Sequence, residues 1–339
     1  MVGELIRPYI YHKRVIVFKL SRFLLPLLYP ISAFAQCPDY ASVINAPTFV
    51  PPQQSTFQHR KNQTLAKSQT AWHMVGDAII QQGQTAVITA KFDYGAAVHK
   101  DLEDEYVDVY LTGTGLTDWK NLGRFKTDED GRVSISQENL PIGEYRIRFV
   151  VEGDLSTVDG FISVVEQGRQ AVVFDVDGTL TINDFEAYAD YMGMKTARPY
   201  VDAVKVVRAY QEKGYQIIYL TARPAWDTKD SRQWFAKMGL PEWHYRSRLY
   251  DANSKIPAIQ THKTHYLNYL RNTVGLDIVR VYGNALTDIA AYADSGIAKN
   301  QTYIIGTYAG VKDTQAINKN YSEHYQTVVK DTPQSISCK

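Results

Sequence analysis

After Gly168 the chain changes rhythm, and that change restricts its possible folds more than any other feature. Apolar runs of strand length alternate with segments of helical period. The strand-like runs are "AVVFD" (171–175), "YQIIYLT" (215–221), "DIVRVYG" (277–283) and "TYIIG" (302–306). Between them lie "RPYVDAVKVVRAYQEKG" (198–214), "TKDSRQWFAKMG" (228–239), "THKTHYLNYLRNT" (261–273) and "LTDIAAYADSG" (286–296). In the first of these Tyr200, Ala203, Val204, Val207 and Tyr210 share one helical face, Pro199 stands near the start and Gly214 marks the stop. Nearly continuous apolar strands separated by helices predict an α/β fold, a doubly wound parallel sheet covered on both faces, over residues 169–330.

Upstream, from Trp72 to Gly168, the period is two. "TAVITAKFDY", "EYVDVYL" and "EYRIRFVV" alternate, with turn clusters such as "TDEDG" and "LPIG" between them. The spacing predicts a smaller β-sandwich over 72–168. Asp128, Glu129 and Asp130 read as an exposed turn, with calcium as the alternative. Residues 36–71, rich in Pro, Gln, Ser and Thr, read as a linker or poorly ordered segment, and 331–339 as a tail.

The first 35 residues carry five basic side chains (Arg7 to Arg22) and then "FLLPLLYPISAFAQ". That reads as a cleaved signal peptide and predicts a secreted or periplasmic protein; an uncleaved membrane anchor is the alternative. In an oxidising compartment the two cysteines, Cys37 and Cys338, are candidates for a disulfide or remain two tail thiols. With 37 basic and 36 acidic residues the net charge is +1, which gives no global case for nucleic acid as a partner. The sequence leaves the oligomeric state open.

Ligands of doubly wound sheets bind outside the carboxyl ends of the strands. Here the strands end in polar residues that belong together. Asp175-Val176-Asp177-Gly178-Thr179 ends the first, Thr221 ends "IIYLT", and "VYGNALTD" brings Asn284 and Asp288. Lys263 lies near the start of the intervening helix. The set predicts phosphoryl transfer, with Asp175 as the nucleophile and Asp177 as the general acid and base. Thr221 and Lys263 complete the catalytic set, while Gly178, Thr179 and Arg223 would bind substrate. Arg223 also has a plainer reading as a strand-end ion pair, and Lys255 is a weaker rival to Lys263. Carboxylates converging at about 4 Å repel by about 4 kcal/mol per pair at an effective dielectric near 20. Mg²⁺ would balance them, with Asp175, the backbone carbonyl of Asp177, and Asn284 or Asp288 as its ligands. His262 and His265 read as residues of the helix surface.

At these motifs the chain resembles the haloacid dehalogenase superfamily of aspartate-nucleophile phosphatases. More narrowly, it resembles the C-terminal domain shared by lipin-type phosphatidate phosphatases and membrane-associated, retinal-degeneration-B-type phosphatidylinositol transfer proteins. "VVFDVDGTLT", "YLTARP", "HKTHYLNYL" and "VYGNALTDIAAYADSGI" carry the likeness, and "GEYRIRFVVEGDLSTVDGF" extends it into the β-rich segment. The resemblance implies a haloacid dehalogenase-like domain and Mg²⁺-dependent hydrolysis of phosphatidate or a related lipid phosphate. The alternatives are a non-catalytic phosphatidate-binding module and a soluble acid phosphatase for small phosphomonoesters. The transfer proteins' domain usually lacks an intact aspartate pair, whereas Asp175 and Asp177 are both present here, which favours catalysis. No interval between the motifs is long enough for a lid domain, so the site is expected to be uncapped. The segment "FEAYADYMGMKTARPY" (185–200) reads either as a flap on the sheet edge or as a peripheral contact with a lipid surface.

Overall fold

The structure, a computed structural model, describes residues 37–95, 99–182, 197–248 and 258–338. The expected signal peptide, residues 185–196 of the flap and Lys255 lie outside the described residues.

Alternating residues bury one face of strands 86–91, 106–113 and 132–137 in the β-rich half. Strands β1 (Met74–Val75), β2 (Ala78–Gln81), β3 (Ala86–Lys91), β4 (Asp93–Tyr94) and β5 (Lys100–Asp101) lead into longer ones. These are β6 (Tyr106–Gly113), β7 (Lys120–Lys126), β8 (Arg132–Gln137), β9 (Gly143–Val151) and β10 (Thr157–Val165). One sheet has the order β1-β3-β8 and the other β2-β10-β9-β6-β7. Val107, Val109, Ile147, Phe149 and Ile162 meet Ile88, Ala90, Val133 and Ile135 in the core between them. Each large apolar side chain so buried contributes about 1.5–3 kcal/mol.

The second half builds a parallel sheet of order β13-β12-β11-β14-β15-β16. Its strands are β11 (Gln170–Phe174), β12 (Gln216–Pro224), β13 (Tyr245–Arg248), β14 (Asp277–Gly283), β15 (Thr302–Ile305) and β16 (Gln315–Ile317). The helices, counted from the amino terminus, begin with α1 (Tyr40–Ile44) and α2 (Arg60–Ser68). The α/β half then adds α3 (Ala203–Glu212), α4 (Thr228–Met238), α5 (Ile259–Asn272) and α6 (Leu286–Asp294). Val206, Val207 and Tyr210 of α3 and Trp234 and Phe235 of α4 cover one face of the sheet. Tyr266, Leu267 and Leu270 of α5 and Ile289 and Tyr292 of α6 cover the other. Edge strands β13 and β16 go beyond the strands expected from sequence.

Segment 36–71, read from sequence as a linker, carries α1 and α2 instead. Tyr40 and Val43 bury themselves against Phe161 and Trp243, and the Tyr40 hydroxyl accepts a hydrogen bond from the Ile217 amide. The polar composition hid two anchoring apolar residues. The carboxy-terminal tail is likewise held down, because Cys338 is disulfide-bonded to Cys37 with Cα atoms 4.8 Å apart.

Both halves fall within one compact unit. Ile79 and Val165 of the sandwich join Ala171, Val173 and Ile218 of the parallel sheet in one apolar cluster. Asp77, in the turn before β2, reaches across to α4. Arg232 Nη2 donates to its Oδ1 at 2.5 Å, and the Tyr245 amide donates to its Oδ2 at 2.8 Å.

Candidate functional site

Strand β11 ends by releasing Asp175 from the sheet, its amide still bonded to the Tyr282 carbonyl of β14. Gly178 then takes φ +67°, a left-handed turn that a side chain would strain. Helix α5 presents Lys263, only 3% exposed, to the same point. Its Nζ donates to Asp175 Oδ1 at 2.7 Å and to Asp288 Oδ1 at 2.6 Å. The other oxygen of Asp288 accepts from the Asn284 and Ala285 amides, both at 3.0 Å, at the start of α6. Asp175 Oδ2 accepts from Thr179 Oγ1 at 2.9 Å.

Asp177 is held differently. Arg223, at the end of β12, grips it with Nε and Nη2, at 2.9 and 2.7 Å. Thr221 Oγ1 donates to Asp177 Oδ2 at 3.3 Å. The remaining nitrogen of the fork, Nη1, donates to Asp227 and Ser231 at 2.9 Å each. Burial pushes the Asp175 carboxyl up to about 7 despite the adjacent lysine, and burial likewise raises Asp227 to about 6. Burial alone would lower Lys263 and Arg223. Asp175 and Asp288 together outweigh it at Lys263, Asp177 and Asp227 together outweigh it at Arg223, and both cations stay charged.

These groups face a cleft of about 370 Å³ at the carboxyl ends of the strands. Asp175, Asp177, Arg223, Lys263, Asn284 and Asp288 line it together. Thr179 and Thr221 are buried behind it, serving the aspartates rather than facing the cleft. Trp226, Ile259 and Arg248 complete the walls. Arg248 was missed from sequence. Its signal was the alternation in "YRSR", where Tyr245 and Ser247 are buried and the arginines face the other way.

Whether this donor set fits a magnesium ion depends on what its oxygens already do. Every carboxylate oxygen of Asp175, Asp177 and Asp288 accepts a hydrogen bond from the protein. The lysine ammonium occupies the space between Asp175 and Asp288. Among the described residues no group of three or more His, Cys, Asp and Glu side chains is placed to hold a metal. With these oxygens engaged by protein donors, no chemistry is derived through a metal.

With the geometry in hand, comparison with known proteins gives the class. Residues 71–164 match the family model described as PITM 1-3, beta-sandwich domain, and residues 172–306 match PITM 1-3, LNS2 domain. The chain therefore joins a β-sandwich to an LNS2 domain of the PITM 1-3 kind. It is 32% identical over 273 residues to membrane-associated phosphatidylinositol transfer protein 1 of Rattus norvegicus, covering 79% of this chain and 21% of that one. Protein retinal degeneration B of Drosophila melanogaster is 31% identical over 273 residues, covering 78% and 21%. The chain thus spans about a fifth of the length of these relatives. Among solved structures, a superoxide reductase from Ignicoccus hospitalis overlaps at 12% identity. That overlap covers 30% of this chain and 85% of the reductase at TM-score 0.23, too little to carry an argument.

Two expectations are overturned by these relatives. They are named transfer proteins rather than phosphatases, so the reading as a phosphoric monoester hydrolase is corrected. In the structure the Asp177 carboxylate is clamped by two nitrogens of Arg223. The membrane-associated proteins among the relatives likewise replace the expectation of a secreted or periplasmic chain. Among the described residues no helix is long and apolar enough to cross a membrane.

Proposed function

We propose that the cleft is a non-catalytic receptor for the phosphomonoester head group of an anionic lipid of the phosphatidate type. Arg248 carries the reading. Lys263 and Arg223 are matched to carboxylates, whereas Arg248 lines the cleft with no carboxylate partner among the described residues. Its Nε is pinned to the Ala222 carbonyl at 2.8 Å, which aims the guanidinium without neutralising it. An arginine so held offers the forked donor geometry that phosphate favours. An apolar wall residue supports a ligand with a hydrocarbon tail: Ile259, at the start of α5, is 36% exposed.

The test is flotation of the full chain with phosphatidylcholine vesicles, with and without phosphatidate. Binding is expected only with phosphatidate, with no phosphate released in the presence of Mg²⁺. Arg248→Ala should weaken it about tenfold or more, the worth of a charge-assisted hydrogen bond. Indifference to phosphatidate, turnover of the lipid, or an Arg248→Ala protein that binds like the parent would defeat the proposal.

A further inference from the structure

A second groove holds a set of polar groups that the cleft does not use. It encloses about 500 Å³ between β2 and α5 and is lined by Asp77, Arg246, His262, His265, Tyr266 and Tyr269, among others. Arg246 and Arg248 stand two residues apart on β13, roughly 6–7 Å along the strand, and share its half-buried face. Arg248 lines the cleft, whereas Arg246 and His262 line the groove. The shared face of β13 therefore links the two.

Two atoms in this groove are buried and lack a hydrogen-bond partner among the described residues: Arg246 Nε and His262 Nε2. The guanidinium of Arg246 rests 4.7 Å from the centre of the Tyr266 ring and has no carboxylate partner among the described residues. Asp77, the nearest acid of the groove, is already committed to Arg232 and to the Phe161 and Tyr245 amides. His262 is 8% exposed, which corrects its reading as a surface residue. In its neutral form with the proton on Nδ1, the ring leaves the unpartnered Nε2 free to accept a hydrogen bond. Burial, reinforced by Arg246, keeps the ring neutral, down to about 4. The groove therefore offers a cation that wants an anionic oxygen beside an acceptor that wants a hydroxyl proton.

We propose that this groove is a second subsite, taking a hydroxyl-bearing, second phosphorylated position of a polyol head group whose first phosphate lies in the cleft. The proposal rests on the head-group reading given above. Arg246 binds the second phosphate and His262 Nε2 accepts a ring hydroxyl next to it. A ligand with one phosphate on glycerol fills the cleft alone.

Calorimetric titration of the full chain with glycerol 3-phosphate and with inositol 1,4-bisphosphate tests this. The bisphosphate is expected to bind at least tenfold more tightly. Arg246→Ala should abolish that advantage while leaving glycerol 3-phosphate binding unchanged, and His262→Ala should reduce it. Should either variant fold poorly, Arg246→Lys keeps the charge without the fork and is expected to lose most of the advantage. Equal binding of the two probes, or an advantage that survives Arg246→Ala, overturns the subsite and leaves its polar atoms to water. Loss of both probes from Arg248→Ala alone identifies the cleft. If the parent chain binds neither probe, the head-group reading fails together with the subsite.

Discussion

At the scale of single residues the site is governed by one guanidinium. Arg223 is shared by Asp177 and Asp227, whose side chains are 19% and 7% exposed. Removing it leaves both carboxylates without their cation in a poorly solvated place. Arg223→Ala should cost roughly 3–5 kcal/mol, read as a lowered urea midpoint. A midpoint within experimental error of the parent's would show that the clamp is dispensable. The sequence placed Arg223 at a strand end and left open whether it met substrate or an acid; the structure pairs it with Asp177. Such pairing depends on how far β12 protrudes beyond β11, a detail of register that residue types do not encode.

At the scale of elements, the strands that end in chemistry were readable because each couples a long apolar run to a polar terminus. Strand β13 was not. Four residues on a sheet edge leave too few alternations to stand out, and with it went Arg246 and Arg248. The contact between sandwich and sheet was equally hidden. It joins Glu144 of β9 to Gln216 of β12 and to Trp243, residues 72 and 99 positions apart. Glu144 accepts hydrogen bonds from Ser163, Trp243 and Gln216, and burial still raises its carboxyl to about 7.

The sign of the consequence follows from proton counting. Between its ordinary value and about 7, folded Glu144 keeps a proton that the unfolded chain has released. Its contribution to stability therefore falls as pH rises through that window and stays flat above it. Glu144→Gln removes the titration. Gln216 Oε1, which has no partner among the described residues, can accept from the new amide once the Gln216 side chain flips. The variant should be more stable than the parent at pH 8, by an amount on the order of 1 kcal/mol or more, and lose the advantage near pH 4.5. Urea unfolding at both pH values decides it; a variant destabilised equally at both would refute the account.

For the whole molecule, the disulfide between Cys37 and Cys338 closes a loop spanning 301 positions. Loop entropy alone assigns it about 5–6 kcal/mol. Other bonds share in anchoring the tail. The Ser335 amide donates to the Lys213 carbonyl at 2.8 Å, and Arg280 donates to Thr332 Oγ1 at 2.7 Å, so the measured loss should be smaller. Cys338→Ser is expected to lower the urea midpoint clearly. Gly214→Ala should do the same with both cysteines present, because a methyl group there would lie 1.9 Å from Cys338 Sγ at φ +78°. If neither change moves the midpoint, the tail is held by its hydrogen bonds alone.

Asp77 has a further consequence. It supplies the counter-charge for an arginine in the other half of the molecule, and Ile79 and Val165 plug the same seam. A seam filled from both sides makes the sandwich and the parallel sheet one heritable cassette. Loss of the sandwich would strand the Arg232 guanidinium and loss of the sheet would strand the Asp77 carboxylate, each in a buried place, so the pair moves between longer proteins only as a block.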